Sequence, residues 1–242
     1  MMFFVLKRLR YEMTLCLLMF VVATTPLASQ ESEFRYEKSI AAYEKKSAET
    51  PLPENCTMFV GSSTWRLWGD QLEEDFAEFR AVNRGFGGAT IPDVLHVMHR
   101  IITPHKPARI VFFCGGNDIA RGSSSEETFE NLKTFLSRLR NESPHTKEVF
   151  ILSMTGSPRR APFRDETLKY HVLVRKLIEE TDGLYYIDTA STLAGKDGWA
   201  DEKYFLEDRL HLNRDGQKQW IPVITEALRA PDKIRESAII NR

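Results

Sequence analysis

The chain has 242 residues, with 33 Lys+Arg against 34 Asp+Glu, a net charge of −1 and a pI of about 6.6. That balance, with no basic run in the sequence, excludes an electrostatic nucleic-acid-binding surface. A hydrophobic share of 42% and an aromatic share of 11% are enough for a packed core.

The first 29 residues differ from the rest. Lys7, Arg8 and Arg10 form a basic start, Met13 to Thr24 is an apolar run, and Pro26-Leu27-Ala28-Ser29 offers small residues ahead of a polar stretch. This is the pattern of a secretory signal peptide. The apolar run is shorter than the ~20 residues of a membrane span, and the alternative is an uncleaved N-terminal anchor. Cleavage predicts a secreted or periplasmic protein of about 213 residues (242 − 29), a length that suits one α/β domain better than two. Any contact with a membrane would run through an uncleaved leader.

A charged segment, Glu33 to Ala48, has Phe34, Ile40 and Tyr43 at helical spacings and predicts a helix in an extension over 30–54. Thr50-Pro51-Leu52-Pro53 ends it. Cys56 to Val60 then reads as a strand running into Gly61-Ser62-Ser63. Trp65 to Phe79 reads as one helix and Arg80 to Asn83 as a short strand. A glycine-rich loop, 84–90, leads into a helix over Ile91 to Ile102, capped by Thr90 with Pro92 in its first turn. Arg109 to Cys114 is apolar nearly throughout, as a strand buried on both faces should be, and it ends in Gly115-Gly116-Asn117-Asp118. A helix over Ser125 to Asn141, a strand over Glu148 to Ser153, a loop over 155–164, a helix over Glu166 to Thr181 and a strand over Leu184 to Asp188 follow. Asp208-Arg209-Leu210-His211 falls in a loop before a last helix, Asn213 to Leu228. Strands and helices alternate five times, which predicts a five-stranded parallel sheet with helices on both faces, an α/β/α sandwich over 55–230 with a tail at 231–242.

In such a sheet, ligands bind outside the carboxyl ends of the strands. Four features fall there: Ser62-Ser63, the 85–88 loop, Gly116-Asn117-Asp118, and Asp208 with His211. A serine hydroxyl needs a base before it can attack. His211 is the candidate base, and Asp208, three residues earlier, is placed to orient its ring. The N–H groups of Ser63 and Gly88 and the side-chain amide of Asn117 are candidate donors to an oxyanion.

Gly61-Ser62-Ser63, Asn83 with Gly88, Gly116-Asn117-Asp118 and Asp208-x-x-His211 together resemble the ordered blocks of the SGNH or GDSL hydrolase superfamily, over about residues 55 to 229. The wording around Phe59 to Trp68 is similar to its platelet-activating-factor acetylhydrolase-like branch. The resemblance implies a flavodoxin-like sheet and a serine esterase without cofactor or metal, acting on a small-molecule, polysaccharide or lipid ester. It implies Ser63, Asp208 and His211 as catalytic triad and Ser63, Gly88 and Asn117 as oxyanion donors. One position departs: the usual motif has aspartate where this chain has Ser62. The alignment selects Ser63 over Ser62 as nucleophile.

Other readings compete. Fold does not fix function, and a non-catalytic carbohydrate- or lipid-binding protein on this fold is the alternative. His96 and His99 are three apart, where a zinc helix pair needs four, and read as surface residues. Arg159, Arg160 and Arg164 fit either an anionic substrate or a solvated loop. Trp65, Trp68 and Trp199 fit either a substrate wall or core. Of the cysteines, Cys16 lies in the leader. If Ser63 and Asn117 were level, Cys56 and Cys114 would be about four residues apart along neighbouring strands, roughly 13 Å, too far for a disulfide. Two free, mostly buried thiols are expected.

Overall fold

Five short, largely buried strands pair side by side, all parallel, in the order β2-β1-β3-β4-β5. The strands are β1 (Thr57–Gly61), β2 (Ala81–Gly85), β3 (Arg109–Phe113), β4 (Glu148–Leu152) and β5 (Leu184–Ile187). In this computed structural model the described residues are 34–196 and 198–233. The leader and the end of the tail lie outside them. The architecture is a three-layer α/β/α sandwich with the strand order of flavodoxin-like proteins. No helix among the described residues is long and apolar enough to cross a membrane.

Strand residues alternate between two helical layers, as the period of two requires. Phe59, Val111, Phe150 and Tyr185 pack with Trp65 and Trp68 of α2 (Ser63–Trp68), Leu72 of α3 (Gln71–Asp75), and Trp220 and Ile224 of α8 (Arg214–Arg229). On the other face Phe112 stacks on Phe135 of α6 (Ser125–Glu142) at 4.4 Å between centroids. That layer also holds α4 (Ile91–Ile101) and α7 (Arg164–Glu179). α1 (Glu37–Glu49) lies against α4, joined by Arg100, which bonds both Glu37 and Glu44.

Three sequence expectations change. The single helix over 65–79 is two short helices and a 3₁₀ turn, because Gly69 turns left-handed at φ 65° and stops α2. Asn117 and Asp118 lie in a one-turn helix, α5 (Gly116–Ala120). Register pairs Thr57 with Arg109, so Cys56 lies level with Ala108 and Cys114 is six residues further on (114 − 108), about 20 Å rather than 13 Å. Ser63 and Asn117 are therefore not level. Both thiols are free and buried, as expected.

Candidate active site

The strand order reverses between β1 and β3, and their carboxyl ends form the crevice that such a switch point creates. Gly61 makes the turn out of β1. Its φ is 145°, and a Cβ there would lie 2.0 Å from the Phe113 carbonyl oxygen, so only glycine fits. Ser63 is the first residue of α2. Asn83 holds α2 from below: its Nδ2 donates to the Trp65 and Gly69 carbonyls at 2.7 and 3.2 Å, and its Oδ1 accepts the Gly85 N–H at 3.0 Å. This residue of the family blocks therefore supports the helix that carries Ser63.

The structure brings Ser63, His211 and Asp208 into one chain of contacts. His211 Nε2 is 2.8 Å from Ser63 Oγ, and His211 Nδ1 is 2.5 Å from Asp208 Oδ2. Asp208 Oδ1 accepts the N–H groups of Leu210 and His211 at 2.9 and 3.0 Å. Burial pushes the Asp208 carboxyl up, but the His211 N–H, the imidazole and the Leu210 N–H outweigh it and hold the pKa down at about 2. The carboxylate stays ionised at any ordinary pH. Arg209 takes a left-handed turn at φ 58°, and its carbonyl accepts the Arg159 N–H at 3.0 Å, which locks the loop to the segment after β4.

Asn117 reaches the same crevice from α5. Its Nδ2 donates to Ala89 O at 2.9 Å and to Ser62 Oγ at 3.3 Å, and its Oδ1 accepts from Arg160 Nη2 at 2.7 Å. Ser62 is buried and does not cap α2; its hydroxyl faces Asn117 instead. Gly88 sits at φ 79° beside the crevice, its carbonyl gripped by Tyr36 Oη at 2.8 Å and Arg121 Nη2 at 2.7 Å. Tyr43 Oη donates to Gly85 O at 2.5 Å, so α1 and its N-cap residue Tyr36 together hold both ends of the glycine loop. Sequence reasoning missed this role of α1. The only available signal was two tyrosines seven apart, one helix face, facing nothing identifiable.

Two cavities meet at Ser63 and His211. One of about 50 Å³ is lined by Phe113, Cys114, Asn117, Met154 and Arg160. The other, about 380 Å³ and open, is lined by Tyr36, Arg66, Gly88, Asn117 and Leu210. A groove of about 580 Å³ lies elsewhere, at the amino ends of β4 and β5, and touches none of these residues. Trp65 and Trp68 are core, and Trp199 packs over Gly156 and under Arg164, so no indole forms the wall the sequence left open. His96 and His99 are exposed on α4.

The neighbours of this structure share its architecture. A platelet activating factor structure from Streptococcus pneumoniae is 20% identical, covers 79% of this chain and 92% of its own, and superposes with a TM-score of 0.70. A GDSL-like lipase from Bacteroides thetaiotaomicron is 19% identical over 79% and 99% of the two chains, with a TM-score of 0.63. An acetylxylan esterase from Geobacillus stearothermophilus is 16% identical over 70% and 92%, with a TM-score of 0.57. At these identities the likeness establishes the fold. No curated protein matches the sequence. The model of the GDSL-like lipase/acylhydrolase family matches residues 39–219, three quarters of the sequence, and the chain belongs to that family of ester-bond hydrolases.

Proposed function

We propose that this protein is an exported serine esterase that removes short acyl groups, acetyl above all, from an alcohol. The observation that carries the reading is the unbroken contact chain from Ser63 Oγ through the His211 ring to Asp208. In this mechanism His211 Nε2 takes the Ser63 proton as Oγ attacks the ester carbonyl. Asp208 holds the ring with Nε2 toward the serine and offsets the imidazolium charge. The Ser63 and Gly88 N–H groups and Asn117 Nδ2 receive the oxyanion, and His211 returns the proton to the departing alkoxide. Water, deprotonated by the same ring, then attacks the acyl-serine, and Ser63 regains its proton.

The small cavity supports an acetyl group as the acyl part. At about 50 Å³ it is several-fold smaller than the open cavity of about 380 Å³ beside it. The open cavity suits the alcohol, of which a carbohydrate is the favoured class, in line with the acetylxylan esterase among the structural neighbours. Export rests on the leader pattern of residues 1–29. The expected outcome is covalent labelling by a fluorophosphonate that is lost in Ser63→Ala, with kcat/KM for p-nitrophenyl esters at least about tenfold higher for acetate than for octanoate. Unlabelled wild-type protein would return the chain to a binding role; octanoate preferred over acetate would overturn the acyl assignment.

A further inference from the structure

The mechanism above gives no role to Arg160, a charged residue of the crevice. Arg160 lies in the 3₁₀ segment Pro158–Phe163 that follows β4, and it walls the small cavity with Ser63, Asn117, Met154 and His211. It is half-buried, and its guanidinium meets a neutral amide: Nη2 donates to Asn117 Oδ1 at 2.7 Å. Burial, and then the like charges of Arg159 and Arg121, hold its pKa below the ordinary arginine value. Sheltering a cation from water without a carboxylate is costly. That cost is easiest to understand where the charge serves the reaction.

The Asn117 amide shows what the charge does. Its two ends face opposite chemistry, a guanidinium donor at Oδ1 and the Ala89 carbonyl at Nδ2. Turning the amide over would set donor against donor and acceptor against acceptor, so Arg160 fixes the nitrogen end toward Ala89 O and Ser62 Oγ. A cation on the oxygen of an amide also draws electron density from its nitrogen and strengthens that N–H as a donor. We infer that Arg160 is a positioning residue for ester hydrolysis: it aims the Asn117 side chain and polarises it toward the oxyanion. The inference rests on the serine-esterase reading.

Turnover of p-nitrophenyl acetate by wild type, Arg160→Met, Arg160→Lys, Asn117→Ala and the Arg160→Met/Asn117→Ala double variant tests it. A charge-assisted hydrogen bond spans about 10- to 100-fold, so Arg160→Met should lower kcat by that factor with KM within about twofold. Arg160→Lys should recover part of the loss. In the Asn117→Ala background the arginine should matter little, since a residue acting through another is non-additive with it. Should Arg160→Met fail to fold, Arg160→Gln replaces it in the same comparison. Full additivity, or a change confined to KM for a negatively charged ester, would overturn the inference and make Arg160 a contact to substrate. An unchanged kcat in an active enzyme would also overturn it. A wild type that hydrolyses no ester and takes no fluorophosphonate label would remove the esterase reading and this inference with it.

Discussion

Asn117 has more claims on it than its two N–H bonds can meet at once. One is held by the Ala89 carbonyl at 2.9 Å, and the other rests on the Ser62 hydroxyl at 3.3 Å, the longer and weaker contact. An oxyanion on the substrate would take the second. Asn117→Ala should therefore lower kcat by ~10²–10³, the usual loss for one oxyanion donor, as steady-state kinetics on p-nitrophenyl acetate would read. Ser62→Ala only frees the N–H early and should keep most of the activity; a loss as deep as that of Ser63→Ala would make Ser62 the nucleophile. Ser63, Asp208, His211 and Asn117 could be picked out from the sequence because their residue types are scarce chemistry at strand ends. Arg160 stood out only as one of three loop arginines that fit an anionic substrate or solvent, and only three dimensions bring it to an amide 43 residues away.

Among the elements, α1 and the Tyr36 that precedes it do more than pack on α4. Tyr36 and Tyr43 hold the Gly88 and Gly85 carbonyls, and the buried Arg84 reaches Ser47 Oγ at 2.6 Å and stacks on the Tyr43 ring. The loop that carries Gly88 is thus set from outside the strand–helix repeat. Tyr36→Phe removes one of two donors on Gly88 O, and Arg121 keeps the other. An ordinary hydrogen bond is worth about 0.5–1.5 kcal/mol of stability, so the melting temperature should fall by a few degrees and kcat should fall with it, by about two- to tenfold. A melting temperature that drops while kcat holds would make α1 a stabiliser only. The amphipathic spacing made α1 legible as a helix, but not what its tyrosines touch. The break at Gly69 was missed because the apolar spacing of Leu67, Trp68, Leu72 and Phe76 runs across it, although a glycine inside a helical pattern is a standing warning.

Over the whole molecule, the buried Asp118 and the half-buried His171 oppose each other as pH changes. Burial raises the Asp118 pKa from 3.8 to about 6, against the Ile91 N–H that its oxygens accept at 3.1 and 3.2 Å. Between those values the folded state holds more proton than the unfolded, so this group's contribution falls as pH rises. Burial lowers His171 from 6.5 to about 4, and its Nε2 accepts the Met154 N–H at 2.9 Å. There the unfolded state holds more proton, so stability rises with pH across that window. The two nearly cancel between pH 4 and 6. Asp118→Asn should make stability climb more steeply with pH over that range, and His171→Gln should make it fall, in urea midpoints at pH 4.5, 5.0 and 5.5. Parallel curves for all three proteins would contradict both assignments. The parallel sheet itself was legible, since doubly buried strands are apolar on both faces and alternate with amphipathic helices. The pairing of Cys56 with the level of Ala108 was not, because the sequence carries no ruler for register between strands joined by crossovers.

The grip of Tyr36 on the glycine loop also sets how short a working chain can be. The family match begins at residue 39, and a protein started there would keep all five strands, Ser63, Asp208 and His211. It would lack Tyr36, and Glu37 with half of the Arg100 anchorage. Such a trimmed chain should fold and still carry its serine, yet turn over slowly. A protease cutting ahead of Tyr36 would spare the enzyme, while one cutting just after it would quiet it.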